Sequence, residues 1–152
     1  MRAIIQRVSE ASVIVNNKVV GEISLGLLVL VGFEEADVTK DYSWMIRKII
    51  NLRIFNDAKG KMNLSVNDIF GELLIVSQFT LYADIKRGNR PSYSNASKPE
   101  LAINQYSNFL ELLKAEFNKK IQMGVFGADM ELAIINNGPV TIFLDSTIAS
   151  YK

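Results

Sequence analysis

Gly26-Leu27-Leu28-Val29-Leu30-Val31-Gly32 is a run of strand length in which every residue between the glycines is apolar. Alternating polarity would mark a strand with one wet face, whereas a continuous apolar run marks one buried on both faces. This segment predicts the centre of a sheet. Before it, residues 8–15 are rich in small and β-branched side chains, Asn16-Asn17 is a turn signal, and residues 19–23 resume the strand pattern, so a hairpin is expected. After it, Tyr42, Met45, Ile46, Ile49 and Ile50 recur at helical spacing between Thr39 and about Asn51, with Lys40, Asp41, Arg47 and Lys48 on the other face.

Further along, residues 52–55 read as strand-like, Asp57-Ala58-Lys59-Gly60 as a turn, and residues 72–82 as a strongly apolar run that turns polar at its end. Ser97-Lys98-Pro99-Glu100 fits a capping box with Pro in the first turn. It predicts a second helix to about Asn118, with Ile103, Tyr106, Leu110, Leu113 and Phe117 as its stripe. Residues 121–125, 130–135 and 140–144 read as three more strands. Strands grouped around only two helices do not alternate as a doubly wound fold requires. The expectation is an α+β fold, small and β-rich: a largely antiparallel sheet or partial barrel with two main helices, forming one domain over residues 1–152. Strand order does not follow from the pattern.

The chain has no Cys and no His, which removes the Ser-His-Asp triad, thiolate nucleophiles, Cys/His zinc sites and an imidazole proton shuttle. Catalysis is left to hydroxyls, carboxylates, Lys and Arg, backbone amides, a carboxylate-bound metal or groups on the substrate. Asp37, Asp41, Asp57 and Asp68 lack metal-loop spacing, and no phosphate-binding glycine signature occurs, so no cofactor and no metal are implied. The formal charge of +1 excludes nucleic-acid binding by bulk electrostatics but leaves room for a local basic patch. No apolar run approaches the roughly 18 residues of a membrane span. The start, Met1-Arg2-Ala3-Ile4-Ile5-Gln6-Arg7, places a charge and an amide where a signal peptide would need apolar residues; a cytoplasmic location is expected.

Three segments offer chemistry. Ser77-Gln78-Phe79-Thr80 places two hydroxyls and an amide where an apolar strand ends; continued as a strand, it would put Ser77 and Phe79 on one face and Gln78 and Thr80 on the other. Pattern alone reads it as ordinary strand. Asn136-Asn137-Gly138-Pro139-Val140-Thr141 reads first as a plain hairpin turn, because Asn-Gly is a strong hairpin signal, although Pro139 gives up a ladder donor there. Lys86-Arg87-Gly88-Asn89-Arg90-Pro91-Ser92-Tyr93 is a Gly- and Pro-punctuated loop with three cations and an aromatic, able to hold a phosphate backbone and a stacked base, although pattern alone favours simple solvation.

Taken together and in order, Ser77-Gln78-Phe79-Thr80-Leu81, Gly88-Asn89-Arg90-Pro91-Ser92 and Asn136-Asn137-Gly138-Pro139-Val140-Thr141 resemble the D-aminoacyl-tRNA deacylase family, as does the opening Met1-Arg2-Ala3-Ile4-Ile5-Gln6-Arg7-Val8. The resemblance covers nearly the whole chain. It implies hydrolysis of the ester joining a D-amino acid, or glycine, to the terminal adenosine of tRNA, by a homodimer whose active site lies at the subunit interface, with no membrane partner. It further implies catalytic roles for Ser77, Gln78, Phe79 and Thr80. Because an aminoacyl ester is already activated, backbone amides around Gln78, Phe79 and Thr80 are the candidate oxyanion donors, and the ribose 2′-hydroxyl is favoured over Thr80, which has no neighbouring imidazole, as the participating hydroxyl. By the same resemblance Gly138 and Pro139, joined by a cis bond and accompanied by Asn137, Arg7 and Ala102, would form the substrate and chiral gate, with Arg7 bracing the loop. Lys86, Arg87 and Arg90 would then contact tRNA. Tyr93 departs from the family's frequent Phe.

Overall fold

The computed structural model describes residues 1–148. Its elements are β1 (Arg2–Val15), β2 (Lys18–Ile23), β3 (Gly26–Gly32), α1 (Thr39–Asn51), β4 (Phe55–Asn56), β5 (Met62–Leu64), β6 (Glu72–Ser77), a 3-10 turn (Phe79–Tyr82), α2 (Pro99–Glu116), β7 (Ile121–Met123) and β8 (Glu131–Asp145). Asn16 and Asn17 both take positive φ, 49° and 61°, as a tight hairpin between right-twisted strands requires. The β1–β2 hairpin forms as its residues predict.

β1 is the hub. Its residues 11–15 pair with β2 and its residues 2–8 with β3, both antiparallel, so β2 and β3 lie end to end along one edge. β8 runs antiparallel along the other edge from Arg2 to Ile14. On its far side β3 pairs in parallel with β6, and β6 with β7. Bulges in β1 near Val13 and residues 6–10, together with the break at Ser24-Leu25, bend this ribbon over itself. β2 is thereby carried toward β7: a Cβ on Gly21 would stand 2.8 Å from the carbonyl oxygen of Met123. The mixed sheet is nearly closed into a barrel.

This bend explains the apolar run that centres the sheet. Leu27, Val29 and Val31 face a core shared with Met45, Ile46 and Ile49 of α1 and Tyr106, Phe109 and Leu113 of α2. Leu28 faces the opposite way, into the hollow of the bent sheet with Val8, Ala11, Val13, Ile23, Leu74 and Val76. A strand between two cores has no wet face, and each fully buried Val, Leu or Ile contributes about 1.5–3 kcal/mol. β6 does the same with Leu73 and Ile75 on one side and Leu74 and Val76 on the other.

Several expectations are corrected. α2 starts at Pro99 with Lys98 as N-cap, and no side chain caps it. A residue before proline is driven out of the helical region, and Lys98 is extended at φ −61°, ψ 148°. Ser97 therefore falls one position too early to cap; its amide donates to Phe33 and its hydroxyl finds no partner among the described residues. The helix ends at Glu116, short of Asn118. Its buried face is Gln105, Tyr106, Phe109 and Leu113, while Ile103 is 46% exposed. Of residues 52–55 only Phe55 enters a strand. Residues 72–82 are not one strand: β6 stops at Ser77 and the chain tightens into the 3-10 turn.

The largest correction concerns residues 130–144, expected as two strands joined by a turn. They form one strand, because both halves pair with the same partner: Asn136 sits opposite Val8 and Thr141 opposite Gln6. Asn137, Gly138, Pro139 and Val140 bow out opposite the single residue Arg7. Asn-Gly here opens a large bulge, since β1 offers the returning chain a continuous edge to rejoin.

Candidate active site

The end of β6 delivers Ser77, half-buried, to the same end of the sheet as the start of α2. Gln78 then donates its amide to Val31, 2.7 Å away, which anchors the chain to β3 as it turns. That bond removes Gln78 from the amides expected to hold an oxyanion. The next two, Phe79 and Thr80, begin the 3-10 turn and make no hydrogen bond among the described residues, as the opening amides of a helical turn must unless something outside it accepts them. The Gln78 side-chain amide donates to Thr80 Oγ1. Thr80 has no imidazole, carboxylate or amine as a partner among the described residues, so its hydroxyl lacks a base.

Arg2 holds this turn in place. It donates from Nη1 to the Leu81 carbonyl and from Nε to Asp145 Oδ2, both at 2.9 Å, and lies over the Tyr82 ring. Burial pushes Asp145 upward, but hydrogen bonds from Thr147 and Arg2 outweigh it and hold the carboxyl below its ordinary value. Tyr82 is pushed far above the usual phenol range, mainly by burial and further by Asp37 and Glu34; burial does the same to Tyr106. Neither phenol is available as a base near neutrality. Nothing in the local sequence singled out Arg2, whose partners lie 79 and 143 residues away.

Phe79 is 57% exposed, with its ring in edge contact with Tyr93 at 5.0 Å between centroids. This contact ties the turn to the cationic loop, which is closed by paired backbone bonds between Asp84 and Ser92. Lys86, Arg87 and Arg90 are all exposed on it. Ala102 lies in the first turns of α2, half-buried, at this same end of the sheet.

Asn137, Gly138, Pro139 and Arg7 are elsewhere. Arg7 is 7% exposed; its Nε donates to the Asn137 carbonyl at 2.9 Å and its Nη1 to the Ile54 carbonyl. The loop it braces is exposed from Asn136 to Pro139, the Gly138-Pro139 bond is cis, and Gly138 has φ +127°. Ser77 pairs with Val31, Val31 with Ala3, and Leu27 with Arg7. The loop is thus four residues along and three strands across from Ser77, roughly 20 Å at the spacings of a β-sheet. Within one chain the two groups do not meet, and neither the open cleft beside Glu10, Glu22 and Lys120 nor that beside Trp44 and Arg53 contains them. Among the described residues no helix is long and apolar enough to cross a membrane, and no three acidic side chains gather as a metal site would need.

The family model for D-Tyr-tRNA(Tyr) deacylase matches residues 4–145 of the chain. D-aminoacyl-tRNA deacylases of Flavobacterium psychrophilum and Thermosipho melanesiensis are 57% and 53% identical to it, each over 96% of this chain and 97% of the relative. Among solved structures, the c-Myc DNA unwinding element binding protein superposes with a TM-score of 0.91 at 43% identity, covering 95% of this chain and 98% of that one. A probable eukaryotic D-amino acid tRNA deacylase shares the fold, with a TM-score of 0.78 at 16% identity over 94% and 97%.

Proposed function

The chain belongs to the D-Tyr-tRNA(Tyr) deacylase family and is a hydrolase of D-aminoacyl-tRNA esters, and we propose that it works as a homodimer in which the Gly138-Pro139 loop of each subunit closes the Ser77–Thr80 site of the other. One observation carries this reading. An exposed loop is braced by a buried arginine, yet stands roughly 20 Å from the turn it would serve in its own chain. A second copy removes the mismatch. The long outer edge of β8, with Ile135 54% and Phe143 48% exposed, offers an apolar surface, unpaired among the described residues, of the kind that associates.

In the joined site the ester carbonyl faces the free amides of Phe79 and Thr80. Water adds to the carbonyl carbon, the two N–H groups stabilise the oxyanion, and collapse expels the ribose oxygen. Such preorganised donors act where charge develops, and removing one typically costs 10²–10³ in rate. An aminoacyl ester is already activated, so orientation suffices without a strong base. The vicinal 2′-hydroxyl of the terminal ribose assists the attack, because Thr80 lacks a base. Gly138 and Pro139, with Asn137 and Ala102 lining the pocket, leave room at the substrate's Cα for hydrogen but not for an L side chain. Glycine, with no side chain, passes the same gate. Lys86, Arg87 and Arg90 hold the phosphates of the acceptor end, and the enzyme works in the cytoplasm, where charged tRNA is.

Release of D- and L-amino acid from otherwise identical charged tRNA tests the gate. D release with L sparing is expected; equal release would refute it. Mixing a Gly138-Pro139 variant with a Thr80-region variant should restore activity, since a mixed dimer holds one intact composite site.

A further inference from the structure

α1 presents two stripes. Tyr42, Met45, Ile46, Ile49 and Ile50 enter the core, and on the opposite side Trp44, Arg47, Lys48 and Asn51 follow at i, i+3, i+4 and i+7. With Leu52 and Arg53 these four line an open cleft. The Lys48 ammonium lies 5.7 Å from the Trp44 ring centroid. Cations near a helix C-terminus complement its dipole, which accounts for Lys48, but Arg53 lies beyond the helix. Its guanidinium is fixed by bonds from Nε to the Asn63 carbonyl and from Nη2 to Asn63 Oδ1. None of Arg47, Lys48 and Arg53 forms a salt bridge among the described residues. Asp68, which feels the charge of Arg53, is engaged by Ser65 and shared with the charge of Lys119. In a chain of net charge +1, three cations and an aromatic around one cleft are a concentrated positive surface.

The position of the cleft is informative. Arg53 precedes Ile54, whose carbonyl accepts from the same Arg7 that braces the Gly138-Pro139 loop. We propose that the Trp44-Arg47-Lys48-Arg53 cleft binds the sugar-phosphate backbone of the tRNA substrate beyond its aminoacylated end, the cations on phosphates and the indole on a base or ribose. The inference rests on the cross-subunit reading: the loop that enters the partner's site brings this cleft alongside it, so one tRNA spans both subunits. Contacts of this kind set affinity and position and leave the chemistry alone.

The test uses the full-length protein and the variant Arg47→Glu/Arg53→Glu, with Lys18→Glu/Lys114→Glu as a charge-matched control. Affinity for uncharged tRNA is measured across salt concentrations, and turnover is measured on D-aminoacyl-tRNA and on D-aminoacyl-adenosine, which is too short to reach the cleft. The expected result for the cleft variant is about tenfold or greater loss of tRNA affinity, with a salt slope lower by roughly 0.9 per lost phosphate contact. KM for D-aminoacyl-tRNA rises in step, kcat holds, and turnover of D-aminoacyl-adenosine is unchanged. Wild-type affinity and slope in the cleft variant, or an equal loss in the control, would overturn the proposal even if the enzyme edits as described. Binding of uncharged tRNA does not depend on the gate, so failure of the gate reading shows separately, as loss of D-over-L selectivity in the wild type.

Discussion

Replacing Gly138 with Ala is the sharpest test of how the exposed loop is held. At φ +127° an L side chain is strained, which costs about 1–3 kcal/mol. The new methyl would stand 2.8 Å from Arg7 Nη2, 2.9 Å from Val140 Cγ2 and 3.2 Å from the Val140 amide nitrogen. An arginine tip usually yields cheaply, but this one is buried and tied to Asn137 and Ile54. Moving it forfeits part of two charge-assisted bonds, each about 1.5–3 kcal/mol. The loop gives way more cheaply, because it is solvent-exposed and flanked on both sides by intact β1–β8 pairing. We therefore expect destabilisation of about 2 kcal/mol, read as a Tm drop of roughly 4–8 °C, with the loop displaced and the fold retained. Release assays on matched D- and L-aminoacyl-tRNA should then show at least tenfold loss of D turnover or of L rejection, the equivalent of about 1.4 kcal/mol. A Gly138→Ala enzyme with wild-type selectivity and a lowered Tm would refute the gate while leaving the brace intact; wild-type values of both would refute the packing argument itself.

Arg7→Ala should leave the Asn137 and Ile54 carbonyls without their donor, at about 1–3 kcal/mol each, and lower both Tm and D-substrate kcat/KM; unchanged kcat/KM would separate the brace from function. Thr80→Ala should retain measurable turnover, whereas substrate lacking the terminal 2′-hydroxyl should react far more slowly; a dead, folded, substrate-binding Thr80→Ala enzyme with full activity on the 2′-deoxy substrate would reverse the assignment. Asp145 has a folded pKa below its ordinary 3.8, so the stability it contributes is present above that value and is lost as pH falls through the folded one. Asp145→Asn should cost about 2 kcal/mol near neutrality, and denaturant unfolding should show the gap from wild type closing below about pH 4; a gap independent of pH would contradict the assignment.

Much of this protein was legible from local pattern. The central strand, the first helix and the β1–β2 hairpin follow from periodicity and turn chemistry, which act between residues close in the chain. The missing His and Cys excluded most catalytic chemistry before any coordinate was considered, and the ordered motifs identified the family. Where local rules competed, the nearer constraint won: Pro99 displaced the helix start that Ser97 would have capped. The rest depended on partners far away in sequence. Asn136-Asn137-Gly138 carries the chemistry of a hairpin turn, yet β1 offers an unbroken edge to both flanking segments, so the same residues bow outward as a bulge. The family motif implied the Arg7 brace, but that Arg2 would pin the 3-10 turn and that Gln78 would spend its amide on Val31 were set by strand register. Register is fixed by the packing of two cores against one bent sheet, an energy summed over many residues that no short segment contains. The loop and the turn are held apart for the same reason, since the strand order that buries both cores leaves them at different levels of the sheet.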